Sequence, residues 1–181
     1  MVWYGCVMSS SDHAKFRLSP ISLEKLTDSQ IKRLVASSEI TLFEVLGRYI
    51  MAETIEEGTR IVSGLKDRVF YSKSINDHFS IDEITLTHLF GKIRLDKDYL
   101  RRARLLASGI EIAEDSMNLV VVDAKTDADK GIVYYEILGS DRVRFPEKII
   151  RVKISEMKPS GKKLWTVVDI SVLKNNTPPQ G

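Results

Sequence analysis

Lys97, Arg101 and Arg104 fall at i, i+4 and i+7 of a segment that reads as a helix over Asp96–Ser108, with Asp96 as its cap. Three cations therefore share one stripe, Arg102 widens it, and Leu100, Ala103, Leu106 and Ala107 form the apolar side. Arg151, Lys153, Lys162 and Lys163 add further cations from the last third of the chain. Gathered on one surface, these groups would grip the phosphates of a nucleic acid. The plainer reading is that the helix cations pair with Glu111, Glu114 and Asp115, each surface pair being worth about 0–1 kcal/mol.

The charge distribution sharpens the question. Residues 109–141 carry Glu111, Glu114, Asp115, Asp123, Asp127, Asp129, Glu136 and Asp141 against Lys125 and Lys130, a net of −6. Residues 142–174 carry Arg142, Arg144, Lys148, Arg151, Lys153, Lys158, Lys162, Lys163 and Lys174 against Glu147, Glu156 and Asp169, a net of +6. The whole chain is only +2, so any nucleic-acid argument rests on where the bases sit. Opposite charges on neighbouring hairpins also suit head-to-tail contact between subunits, which makes a homo-oligomer or adaptor a further reading.

Asp123 and Lys125 stand two apart in Leu119-Val120-Val121-Val122-Asp123-Ala124-Lys125, a strand pattern that turns both side chains to one face. With Asp115 upstream, the set resembles the Asp…Asp/Glu-x-Lys signature of the restriction-endonuclease-like nuclease superfamily. The likeness covers residues 115–125. It implies that Asp115 and Asp123 ligate Mg²⁺ and that Lys125 helps position the attacking water.

Other chemistry has less to stand on. Trp3, Tyr4, Tyr134, Tyr135 and Trp165 lie on predicted strands, where a ring can stack on an unpaired base. Tyr134 and Tyr135 must face opposite ways, so one of them belongs to the core. Cys6 sits in an apolar run, and Ser9-Ser10-Ser11-Asp12-His13 reads as a loop rather than a catalytic cluster. His13, His78 and His88 lack ligand spacing, and one cysteine makes a structural zinc site improbable. Gly161-Lys162 lacks the rest of a phosphate loop.

The elements that must position these groups follow from capping and periodicity. Thr27-Asp28-Ser29-Gln30, Thr41-Leu42-Phe43-Glu44, Thr54-Ile55-Glu56-Glu57 and Ser80-Ile81-Asp82-Glu83 match the capping box. They place helices near 28–37, 42–52, 54–65 and 81–91, before the basic helix at 96–108. The 42–52 segment, apolar on most of its surface, is the expected core helix, and Gly64 is read as a helix C-terminus. Ile110–Ala113, Asn118–Lys125, Gly131–Leu138, Lys148–Met157 and Lys163–Leu173 are rich in β-formers and separated by turn residues. Val2–Met8 reads as a further short strand. Ile150, Val152 and Ile154 alternate with Arg151 and Lys153, the mark of a sheet with one buried face.

The expectation is an α+β fold. An N-terminal helical region packs on a C-terminal antiparallel β-meander of about five strands. Residues 1–174 form one domain, mainly helical over 22–108 and mainly β over 109–174, with a flexible tail at 175–181. The single cysteine, the absence of a secretory leader and the absence of an apolar run of about 18 residues suggest a cytoplasmic protein with no membrane partner. Nucleic-acid binding is the leading functional reading. A Mg²⁺-dependent nuclease and a non-catalytic assembly protein are the rivals.

Overall fold

A computed structural model describes residues 26–49, 52–66, 68–91, 93, 95–123, 133–157 and 164–173. Within them lie four helices: α1 (Asp28–Ala36), α2 (Ile55–Leu65), α3 (Glu83–Phe90) and α4 (Asp96–Asp115). Seven strands accompany them: β1 (Phe43–Glu44), β2 (Val69–Ser72), β3 (Asp77–Ser80), β4 (Val120–Asp123), β5 (Val133–Asp141), β6 (Phe145–Met157) and β7 (Leu164–Val172). The expected strand Val2–Met8, the loop at Ser9–His13, the candidate residues Lys125, Lys162 and Lys163, and the tail 175–181 lie outside the described residues.

α4 organises the fold. Ala103 and every residue from Leu105 to Ala113 are buried, so this stretch has no wet face. A helix buried all round must be enclosed by other elements, and the sheet curls about it. Leu106, Ile110 and Ile112 meet Ile137 of β5, Ile150, Val152 and Ile154 of β6, and Val167 and Ile170 of β7 in one core. Each such side chain stabilises by roughly 1.5–3 kcal/mol on leaving water. Gly109 lets the helix lie close against β7, because a Cβ there would stand 2.7 Å from Ile170 Cγ2. Glycine is thus a spacer inside α4, and Ile110–Ala113, expected as a strand, continues the helix.

The sheet order is β1-β5-β6-β7-β3-β2, with β4 also on β5. β5, β6 and β7 form the expected antiparallel meander, but β1 runs parallel to β5 and β3 parallel to β7. The fold is therefore α+β with a mixed sheet, and its helices are not confined to an N-terminal region. β4 takes the first half of β5's free edge (Tyr134–Glu136) and β1 the second (Gly139 and Ser140). Asn118 bridges the two, its amide donating to Leu138 O and Thr41 O and its Oδ1 accepting from Leu138 N.

Two capping boxes form with both arms in place, at Thr27/Gln30 and Thr54/Glu57. The box at Thr41 does not. Phe43 and Glu44 pair with β5, Gly47 turns the chain at φ +82°, and Leu46 is 80% exposed. Where a core helix at 42–52 is expected, the described residues 42–49 are thus a short strand and a loop. α3 starts from Asp82 rather than Ser80, Gly64 lies inside α2, and Asp96 is the first residue of α4 rather than its cap. The β2–β3 hairpin lies between α2 and α3, where the sequence pattern predicts no element. None of the described helices is long and apolar enough to cross a membrane.

Candidate functional site

The pleat of β6 sends Val152 and Ile154 inward to α4 and Arg151 and Lys153 to the outer sheet face. α1 covers one end of that outer face through Ile31, which packs with Ile40, Leu138 and Leu173. The end that no described element covers is a polar groove of about 440 Å³ lined by His88, Tyr134, Glu136, Arg151, Lys153, Val168 and Asp169. A bulge shapes it. Lys153 pairs with Asp169 and Ile154 with Val167, so Val168 is an extra residue in β7, and Val168 and Asp169 both line the groove.

Electrostatics within the groove are balanced. Lys153 stands opposite Glu136 on one side and Asp169 on the other, and its Nζ lies 4.3 Å from the centre of the Tyr134 ring. Arg151 is held at 3.2 Å by Asp28 of α1 and at 3.4 Å by Glu136, while its Nε donates to Ser171 Oγ. Tyr135 faces the core and packs on Trp165 at 5.4 Å. Trp165 is itself buried and donates Nε1–H to Asp77, which removes it as a stacking surface.

The cations expected to gather are separated by the sheet. Arg151 and Lys153 lie on its outer face, whereas α4 packs against its inner face. On α4, Lys97 and Arg101 are exposed, Arg102 donates to Ile170 O at the edge of β7, and Arg104 donates Nε–H to Ala52 O at 2.8 Å. Arg102 and Arg104 thus have structural partners, and the single basic patch is not formed among the described residues.

Asp115 ends α4, where Lys73 approaches its carboxylate at 2.6 Å and Arg48 pairs with it as well. Asp123 lies in β4, its backbone paired with Tyr134, and Lys125 is outside the described residues. No cluster of three or more metal-ligating side chains occurs among the described residues.

A second polar network binds the β1 loop to α4. Glu111 is fully buried and accepts from Leu46 N and Arg48 N at 2.5 and 2.8 Å. Tyr49 donates its hydroxyl to Glu114, and burial, followed by that bond and the Glu114 charge, raises the phenol above its ordinary pKa. Arg144 donates to Tyr49 O and Ser108 Oγ, and Ser108 donates to Asp141 at 2.6 Å. These groups satisfy one another and hold the loop in place.

His88, Glu136 and Asp169 were not legible in the sequence as site residues. Only the break in alternation at Val167-Val168-Asp169 hinted that β7 changes phase there. No family model matches the chain, and comparison with curated proteins and with solved structures finds no match.

Proposed function

We propose that this protein binds single-stranded nucleic acid through the outer-face groove, one nucleotide unit seated against β5, β6 and β7. The supporting observation is the convergence of Arg151, Lys153, His88 and Tyr134 on one open groove of about 440 Å³. A phosphate would compete with the Tyr134 ring for Lys153, and a base stacked on that ring would contribute roughly 1–3 kcal/mol. Asp169 would accept from an exocyclic amino group. Because carboxylates match the cations here, affinity comes from local contacts rather than from a strong field. A cytoplasmic setting goes with this reading. Cleavage does not, since Asp115 is engaged by Arg48 and Lys73.

Fluorescence anisotropy with labelled oligo-U and oligo-dT at about 50 mM salt tests the reading. Lys153→Glu and Tyr134→Ala should each weaken binding by about tenfold or more. Lys97→Ala/Arg101→Ala should leave it unchanged. Two phosphate contacts predict a salt slope near −1.4, taking about 0.7 per contact on single strands. If neither strand binds, the reading is wrong.

A further inference from the structure

We propose that the outer edge of β2 is a docking strand for an extended acidic segment of a partner protein. β2 ends the sheet order, and among the described residues no strand pairs with its outer edge. Its own residues, Val69-Phe70-Tyr71-Ser72, include no proline, lysine or other charge, and its register with β3 runs unbroken over four pairs. Sheet edges in soluble proteins usually carry such protections, because an open row of N–H and C=O groups templates another strand. Here Phe70 and Ser72 are buried while Val69 and Tyr71 are 63% and 45% exposed. An added strand would find backbone partners along the edge and two apolar subsites at alternate positions.

Charge selects the occupant. Residues 66–73 hold Lys66, Arg68 and Lys73 against Asp67, a net of +2. Lys66 is paired with Glu83 at 3.2 Å and Lys73 with Asp115 at 2.6 Å. The Arg68 guanidinium lies 5.3 Å from the Phe70 ring centre, with no carboxylate at ion-pair distance among the described residues. Arg68 immediately precedes β2, so a carboxylate on the added strand can reach it. A second copy of this chain fits less well. The antiparallel register that pairs all four β2 residues sets Arg68 against Lys73 of the other copy, and like charges placed opposite destabilise a sheet.

The test uses the full chain and two labelled peptides of about ten residues, one alternating valine with glutamate and one alternating valine with lysine. At about 50 mM salt the glutamate peptide should bind at least about tenfold tighter than the lysine peptide. It should also slow hydrogen exchange at amides 69–72. Arg68→Ala should bring the two peptides close to parity, and Arg68→Glu should reverse their order; unchanged circular dichroism would show that both variants fold. Equal binding of the peptides, binding of neither, or protection confined to other strands overturns the proposal. So does concentration-dependent dimerisation that Tyr71→Lys abolishes, which would assign the edge to a second copy.

Discussion

The side-chain amide of Asn118 pairs with the backbone of Leu138 in both directions, Nδ2 donating to O and Oδ1 accepting from N, each at 2.8 Å. One side chain thereby stands in for a strand at the gap between β4 and β1. Asn118→Ala would leave the N–H of the fully buried Leu138 without this acceptor and detach Thr41. The expected loss is about 2–3 kcal/mol, combining a lost hydrogen bond with an unsatisfied buried donor. Urea unfolding should show a lower midpoint at unchanged slope. A shift under about 0.5 kcal/mol would mean that the gap is closed by other means.

Glu111→Gln tests the buried carboxylate. An amide presents one oxygen where two N–H groups, those of Leu46 and Arg48, now donate, and turns its own N–H₂ toward a donor. A cost of about 2–4 kcal/mol is expected, because a buried group at the centre of a network is left unmatched. Calorimetry should register a fall in Tm of roughly 5–12 °C for a chain of this size.

Gly139→Ala places a methyl group 2.5 Å from Ile112 Cγ1 and 2.9 Å from the Phe43 carbonyl. Ile112 can yield, but the β1 backbone cannot move without breaking its pairing with β5. Overpacking of this kind costs about 1–3 kcal/mol. Combining it with Ile112→Val should recover part of the loss in urea titrations, and an absence of recovery would identify the Phe43 carbonyl as the obstacle.

Tyr49 supplies a pH dependence. Burial, then the bond to Glu114, raises its phenol in the folded state, so the folded protein holds that proton more tightly than the unfolded chain. This stabilisation is fully present below the unfolded value of about 10 and is lost as pH rises beyond it. Tyr49→Phe should cost about 1–3 kcal/mol at pH 7 through the lost charged hydrogen bond. Above pH 10 its stability should fall less steeply than that of the parent. Parallel pH profiles would count against the assignment.

What could be read from the sequence alone was what short-range physics controls. The helix starts at Thr27 and Thr54 appear as expected because a capping box needs partners only three residues apart. The β6 pattern told correctly which side chains face the core, because the pleat fixes orientation residue by residue. It also told that Tyr134 and Tyr135 face opposite ways, and the half-buried Tyr135 is the one that packs on the core. The tertiary structure decided everything whose partners are distant in the chain. Residues 42–49 look helical in isolation, yet Phe43 pairs with Gly139 and the loop N–H groups go to Glu111, 65 positions beyond Leu46. Ile110–Ala113 look like a strand, yet burial on every side and the close approach at Gly109 keep them in α4. The basic residues cluster along the sequence, but a sheet has two faces, and helix and strand cations end on opposite ones. Only folding showed that the surface left to Arg151 and Lys153 is a mixed-charge groove, set by a one-residue bulge at Val168.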